Sequence, residues 1–181
     1  MKLLIASDIH GAADRCRELL EAFDREQADR LVLLGDLLYH GPRNDLPEDY
    51  RPKDVIALLN ARRDRILCVR GNCDTEVDQM VLEFPILADY ALLEQEGVTA
   101  LATHGHVYNP DHLPSLRPGE VLLQGHTHVP ACDDFGSYRR FNPGSVGIPK
   151  EGSFRGYILW EGKRFSWKKL NGEIWQEYSF R

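Results

Sequence analysis

The stretch KLLIASDIHG, residues 2–11, joins a short apolar run to a polar loop that contains glycine. Its apolar part, residues 2–7, is typical of a buried strand, and the same arrangement returns at residues 30–36 (RLVLLGD) and 65–74 (RILCVRGNCD). Helices are predicted between these strands, over residues 14–27 and 53–62, because their apolar side chains recur at helical spacing. This alternation of strands and helices predicts a parallel sheet with right-handed crossovers.

The second half of the chain has a different pattern, with short strand candidates separated by turns. Strands are predicted over residues 90–94, 98–103, 120–124, 131–135, 138–142, 155–160, 165–170 and 174–180. Gly97, Gly136, Gly162 and Gly172 fall between them at positions expected for hairpin turns. No linker, repeat or low-complexity stretch interrupts the sequence, so we expect one domain over residues 1–181, built from two sheets.

The composition is that of an ordinary globular protein, with 43% hydrophobic and 28% charged residues among 181. The net charge of −6 argues against a stable nucleic-acid complex, which needs many cations facing phosphates. The apolar runs are too short for a membrane span, and the first one is too short for a signal peptide. We therefore expect a cytoplasmic protein without membrane attachment. Trp160, Trp167 and Trp175 are expected in the core, an interface being the alternative.

Metal-capable side chains end five of the predicted strands. They comprise two carboxylates, one amide and four imidazoles: Asp8, His10, Asp36, Asn72, His104, His126 and His128. The carboxyl ends of strands in an α/β sheet gather ligands at one edge. Oxygen and nitrogen donors of these kinds suit Mn²⁺, Fe²⁺, Zn²⁺ or Ni²⁺, and one carboxylate can bridge two ions about 3.5–4 Å apart. Taken singly, each residue has a structural alternative, as a turn former or a helix cap.

The order D-x-H, G-D, G-N-x-D, H-G and G-H-x-H, with the stretch NPGSV at residues 142–146, resembles the calcineurin-like metallophosphoesterases. Within them, the small bacterial and archaeal phosphodiesterases of the YfcE-like branch are the most similar. The resemblance implies an α/β (α+β) fold, a four-layer αββα sandwich of two stacked mixed β-sheets flanked by helices. It also implies two metal sites that share Asp36. By this resemblance, the ligands of the first site are Asp8, His10, Asp36 and His128. Those of the second site are Asp36, Asn72, His104 and His126.

The function implied is that of a dinuclear metal-dependent phosphodiesterase, in which a metal-bridging hydroxide attacks the phosphorus of a small diester substrate. Two divalent metal ions, Mn²⁺ above Zn²⁺, Fe²⁺ or Ni²⁺, are the expected cofactors. The expected catalytic residues are Asp36, Asn72, Cys73 and His104. His40, Arg43 and His106 are candidates for contacts to the substrate phosphate, with structural roles as the alternative.

Cys73 stands where many superfamily members have a histidine that assists the leaving group. A thiol is a weak proton donor at neutral pH, so esters with good leaving groups should react fastest. The alternative is that Cys73 is a small filler beside the metals. The next residue, Asp74, either orients Cys73 or a ligand, or caps a following helix.

Three other functions remain open at the level of sequence. A scaffold relative of the Vps29 type resembles this fold but has partly lost the ligands, whereas all seven positions are filled here, which favours an enzyme. A nuclease would be expected to be longer and more basic. A phosphomonoesterase would use the same two ions. The resemblance also suggests a homo-oligomer.

Overall fold

The computed structural model describes all 181 residues of the protein. Its amino-terminal half forms the predicted alternation of strands and helices. Strands β1 (Lys2–Ala6), β2 (Arg30–Leu33) and β3 (Ile66–Cys68) are parallel neighbours. Helices α1 (Ala13–Arg25) and α2 (Pro52–Asn60) connect them, and a single 3₁₀ turn precedes β3. A short helix that the apolar spacing did not delimit, α3 (Glu76–Val81), follows the third strand.

The second sheet is formed by the middle of the chain. Its strands are β4 (Ala91–Gln95), β5 (Val98–Ala102), β6 (Val121–Leu123), β7 (Pro130–Asp134) and β8 (Arg139–Pro143), in the spatial order β4-β5-β6-β8-β7. The central strands β5, β6 and β8 are parallel, and the outer pairs are antiparallel. This sheet therefore places the ends of β5 and β6 side by side.

The last three strands return to the first sheet. They are β9 (Gly156–Glu161), β10 (Arg164–Lys169) and β11 (Ile174–Ser179), and they extend that sheet to the order β11-β10-β9-β1-β2-β3. Because β9 runs antiparallel to β1, the first sheet is mixed, as the second sheet is through its antiparallel outer pairs. The predicted pair of stacked mixed sheets with flanking helices is confirmed.

Two apolar layers hold the sheets in place. One lies between the sheets and contains Phe141, Trp160 and Trp167, and the other lies between the first sheet and the helices, with Phe23 at its centre. Burial of such side chains stabilises the fold by roughly 1.5–3 kcal/mol each. The core prediction is confirmed for Trp160 and Trp167. It is wrong for Trp175, which is 48% exposed because it lies on the edge strand β11.

The outer face of the second sheet is covered by a loop and not by a helix. Leu116, from the segment 103–120, packs there against Leu101 and Leu122. This segment carries prolines at positions 110, 114 and 118, and each proline removes a helical hydrogen-bond donor. An irregular loop therefore lies on the outer face of the second sheet, where the four-layer arrangement predicts helices. None of the helices has the length and apolar character needed to cross a membrane.

Candidate metal centre

The seven predicted strand-end residues come together where the carboxyl ends of β1, β2, β3, β5 and β6 meet. Five of them have a positive φ: Asp8 (58°), His10 (51°), Asp36 (57°), His126 (67°) and His128 (63°). An L-residue in this region is strained by on the order of 1 kcal/mol. Strain of this kind persists where the surrounding structure enforces it, and it clusters at functional sites.

Each of the two carboxylates uses one oxygen as an anchor and leaves the other facing imidazoles. Oδ1 of Asp36 accepts a hydrogen bond from the Cys73 backbone N–H (2.8 Å), and Oδ2 of Asp8 accepts one from the His126 N–H (3.0 Å). The free Oδ2 of Asp36 lies 3.6 Å from His10 Nε2 and 3.5 Å from His104 Nε2. Asp36 therefore stands between two sets of imidazoles.

The first set, which we call the inner group, comprises Asp8, His10 and His128. The Nε2 atoms of the two imidazoles are 3.2 Å apart, and that of His128 is 3.2 Å from Asp8 Oδ1. Asp8 Oδ1 is buried and has no hydrogen-bond partner. The Nδ1 atoms of both rings donate to backbone carbonyls, of Tyr39 (2.7 Å) and Ile148 (2.5 Å), which leaves lone pairs on both Nε2 atoms in the neutral rings.

The second set, the outer group, comprises Asn72, His104 and His126. His104 Nε2 lies 3.0 Å from Asn72 Oδ1 and 3.1 Å from His126 Nδ1. The other ring nitrogen of His104 donates to the Leu34 carbonyl at 2.7 Å, which again directs a lone pair inward. Carbonyl contacts of this kind fix the tautomer and orientation of metal-binding histidines.

These donors fit divalent cations. In the inner group, the neutral rings direct nitrogen lone pairs toward Asp8 Oδ1, a buried carboxylate oxygen without a hydrogen-bond partner, which is costly unless it meets a positive charge. Three candidate ligand sets have all their donor atoms within 4.8 Å of one another: Asp8 with His10 and His128, His10 with Asp36 and Cys73, and Asp8 with Asp36 and His104. Asp8, His10 and Asp36 each belong to two of these sets, and Asp36 is the one whose Oδ2 lies within 3.6 Å of a ring nitrogen in both groups.

The protonation states suit this arrangement. Burial would raise the pKa of Asp8, but its contacts with His10 and His128 outweigh burial and hold the pKa well below its usual value. Burial and the neighbouring His104 lower the pKa of His126 to about 4, so this ring is neutral at neutral pH. Burial, followed by the nearby Asp36 carboxylate, raises the pKa of the Cys73 thiol well above its usual value, so the thiol stays protonated.

Asp74 joins the loop after β2 to the loop after β3. Its buried carboxylate accepts hydrogen bonds from the backbone N–H groups of Asp36 (2.8 Å), Leu37 (2.9 Å) and Gly71 (2.7 Å). Of the two alternatives for Asp74, the helix cap is wrong, because Thr75 is the N-cap and forms a capping box with Asp78. Asp74 instead fixes the backbone that carries Asp36.

Two glycines allow the loops to approach the carboxylates. A Cβ at Gly71 would lie 2.1 Å from Asp36 Oδ1, and one at Gly125 would lie 1.9 Å from the Ser7 hydroxyl and 2.8 Å from Asp8 Oδ2. Any side chain at either position would displace a carboxylate or its support.

The stretch at residues 142–146 holds two of the site loops together. The Asn142 side-chain amide donates to the Gly125 carbonyl (2.8 Å), and the Ser145 hydroxyl donates to the Asp8 carbonyl (2.8 Å). The loop that carries His126 and the loop that carries Asp8 are thus connected through one short segment.

The remaining predicted residues lie at different distances from the centre. Arg43 and Cys73 line a narrow hollow, of about 20 Å³, together with Asp36, Asn72, His126 and His128. His106 is exposed beside this hollow, with its ring 5.3 Å from that of His104. The His40 ring instead packs against Tyr39 and Tyr50, at 4.7 and 5.4 Å between ring centroids, and does not line the hollow.

The hollow also contains a cation that the sequence did not point to. Lys150 lines it, and the Lys150 backbone N–H donates to the His128 carbonyl (3.3 Å). Its only signal in the sequence is that it follows the stretch at residues 142–146 by a few positions.

Residues 1–164 match the family model described as the calcineurin-like phosphoesterase superfamily domain. The chain belongs to the calcineurin-like phosphoesterase superfamily. The family resemblance of the sequence motifs is thereby confirmed, and the chain is a hydrolase of phosphoric esters.

Relatives within this superfamily cover almost the whole chain. A phosphodiesterase, YfcE of Escherichia coli K12, is 46% identical over 173 residues, which is 96% of this chain and 94% of the relative. The solved structure of the E. coli phosphoesterase YfcE superposes with a TM-score of 0.96 at 43% identity, covering 100% of both chains. Vps29 of Chaetomium thermophilum shares the fold, with a TM-score of 0.63 at 15% identity over 100% of both chains.

Proposed function

We propose that this phosphoesterase hydrolyses small phosphodiesters with two divalent metal ions, and that Mn²⁺ is the working metal. The observation that carries the proposal is the position of Asp36 Oδ2, 3.6 Å from a ring nitrogen of the inner group and 3.5 Å from one of the outer group. One carboxylate oxygen that lies between two sets of oxygen and nitrogen donors is what a dinuclear site requires. The identity of 46% to a phosphodiesterase supports a diester as the substrate.

Two divalent ions at these positions would supply an activated water molecule and would neutralise charge on the phosphoryl oxygens. The chain's own residues then perform the remaining tasks. Asp8, Asp36, Asn72 and the four imidazoles would hold the ions. The cations Arg43 and Lys150, which line the same hollow, would attract the phosphate. The water oxygen forms a new bond to phosphorus while the bond from phosphorus to the leaving oxygen breaks, giving a monoester and an alcohol.

The leaving group receives little help from this chain. The Cys73 thiol lies against Asn72, with Sγ 3.2 Å from Nδ2, and its pKa is raised well above the usual value by burial and by Asp36. Such a thiol gives up its proton reluctantly. The leaving oxygen therefore departs largely as its anion and takes a proton from solvent, which favours esters of acidic alcohols.

Several further expectations from the sequence stand as proposals. Residues 1–181 would form a single domain, and the pairing of β10 and β11 onto β9 supports this because those strands lie largely beyond the matched residues 1–164. We also propose a cytoplasmic location, a homo-oligomer and no stable nucleic-acid complex. The net charge of −6 supports the last of these.

The proposal is tested on protein treated with chelator and then supplied with Mn²⁺. We expect hydrolysis of bis(4-nitrophenyl) phosphate to require the metal and to exceed that of 4-nitrophenyl phosphate. Asp36→Asn should lower diester hydrolysis more than about 100-fold, because changes one step further from a metal already cost about 10–100-fold. The exposed Asp64→Asn provides a matched control.

The other outcomes identify the alternative functions. Faster hydrolysis of the monoester would make the protein a phosphomonoesterase with the same centre. No hydrolysis of either ester, with two ions bound per chain, would favour a scaffold that shares the Vps29 fold.

A further inference from the structure

The hollow at the metal centre continues into a much larger groove. Arg43 and Asn44 line both spaces, so they form the junction between them. The groove has a volume of about 700 Å³, which lies within the usual range for small-molecule sites of about 300–1,000 Å³. Its walls are mostly polar, with Leu46, Pro47, Ile148 and Pro149 as the apolar side chains.

The junction is held in a defined shape by the loop that carries it. The Asn44 side-chain amide donates to the His40 carbonyl at 2.7 Å, which closes the loop around Arg43. Arg155 also lines the groove, and its guanidinium lies 3.5 Å from the Gly147 carbonyl. The Gly147 N–H donates to the Asp8 carbonyl (2.9 Å), so Arg155 is attached to the metal loop itself.

The cations around the junction differ from the other arginines of the groove. Arg15 is paired with Glu18, and Arg51 is paired with both Asp14 and Asp54. In contrast, Arg43, Arg155 and the Lys150 of the hollow form no ion pair with a carboxylate. Three carboxylates of the groove also form no ion pair, and all come from the segment that follows the junction: Asp45, Glu48 and Asp49. Asp49 accepts hydrogen bonds from the backbone N–H groups of Asp14 and Arg15. Unpaired positive charge is thus concentrated where the groove meets the metal centre.

A phosphodiester has two esterified groups, and only one of them leaves. The hollow is too narrow to hold the second group as well as the phosphate, and the groove is the adjoining space with room for it. We infer that the groove binds the second ester group of the substrate, and that Arg155, together with Arg43 and Lys150, selects diesters whose second group carries a further negative charge. This inference rests on the proposed phosphodiesterase function.

The test compares three diesters that share the 4-nitrophenyl leaving group, so that the chemical step is held constant. Their second groups are ethyl, 2-carboxyethyl and 2-phosphonoethyl. With the Mn²⁺-loaded enzyme at low salt, kcat/KM for the two anionic esters should exceed that for the ethyl ester by about tenfold, since charge-assisted hydrogen bonds contribute on that order. The difference should arise in KM and should shrink as ionic strength rises. Comparison of the 2-carboxyethyl ester with the 2-phosphonoethyl ester shows which anion the groove prefers.

Variants assign the preference to the junction. Arg155→Gln should reduce the ratio of anionic to ethyl kcat/KM by about threefold or more, with Arg43 and Lys150 retaining the rest, and Arg155→Lys should restore part of it. Arg117→Gln is the matched control, because Arg117 is exposed and precedes the opposite end of β6. Thermal unfolding of each variant identifies any loss of activity that comes from misfolding.

Two results would overturn the inference in different ways. Hydrolysis of the ethyl ester with no preference for the anionic esters, or a preference that Arg155→Gln leaves intact, would remove the inference and leave the phosphodiesterase intact. Failure of the metal-loaded enzyme on all three esters would remove the proposed function and this inference with it.

Discussion

The inner and outer groups of the candidate metal centre have similar donors but different surroundings. Asp8, His10 and His128 of the inner group are 0%, 1% and 3% exposed. In the outer group only His104 is buried, while Asn72 is exposed and His126 is half-buried. The inner group is therefore part of the protein interior, and the outer group opens toward the substrate.

The two groups also differ in how their rings are held. Both inner imidazoles donate to backbone carbonyls, whereas His126 of the outer group has its Nδ1 facing His104 and makes no such contact. Ligands fixed by neighbouring hydrogen bonds bind metal more tightly. Under the proposed two-ion function, the inner group should therefore hold its ion more tightly than the outer group.

The strongest test of this difference removes one ligand from each group. His10→Ala should lower diester hydrolysis more than about 100-fold, and excess Mn²⁺ should not restore it, because the inner donors are interdependent and buried. Asn72→Ala should lower the affinity for one ion by only about tenfold, equal to about 1.4 kcal/mol of binding free energy. Millimolar Mn²⁺ should therefore restore activity.

Metal analysis after limited chelation provides a second reading of the same variants. Asn72→Ala should retain one ion per chain, and His10→Ala should retain fewer ions per chain at the same chelator concentration. If Mn²⁺ restores both variants equally, the two groups do not differ in the way their burial suggests.

Much of this centre could be predicted from the sequence, because short apolar runs ending in polar, glycine-containing loops specify both the strands and the edge at which they meet. The G-H-x-H spacing alone did not say which imidazole faces which partner. The family resemblance did, and the structure brings His128 to Asp8 and His126 to His104.

Other features depend on contacts between distant segments and had no signal of their own. Asp74 could equally have been a helix cap, and only its hydrogen bonds to the loop after β2 show otherwise. Lys150 and Arg155 come from a segment without a motif, and Trp175 was misplaced because strand periodicity does not reveal an edge strand.

A smaller effect is expected at Asp74, which supports the shared carboxylate from outside the cluster. Asp74→Asn replaces one acceptor oxygen by an N–H₂ group that must face backbone N–H donors, so the loop bearing Asp36 should shift. We expect kcat/KM to fall about 10–100-fold and the affinity for the more labile ion to fall with it, as measured by calorimetry with Mn²⁺. Asp78→Asn, which weakens only the capping box of α3, is a control for local stability. Unchanged metal affinity with lower activity would mean that Asp74 acts on the chemistry and not on the position of Asp36.

The smallest expected effect concerns Cys73, whose backbone holds Asp36 while its side chain lies against Asn72 of the outer group. Cys73→His would introduce a proton donor with a pKa near 6.5 on the open side of the centre. Space is limited, because a Cβ placed on Gly41 would already be 3.2 Å from the Cys73 sulfur, so the imidazole must displace this loop slightly. We therefore expect a gain of only a few-fold, well below the 10²–10⁴-fold of a well-placed acid, and restricted to esters with poor leaving groups.

A plot of log kcat/KM against leaving-group pKa for a series of aryl diesters measures this gain directly. Its slope should become less negative in Cys73→His and stay unchanged in Cys73→Ser, which keeps the size of the side chain without adding an acid. A parallel shift of the whole line would instead mean that the substitution alters metal binding or the loop at Gly41. In that case the outer group is open to substrate but not positioned to assist the leaving oxygen.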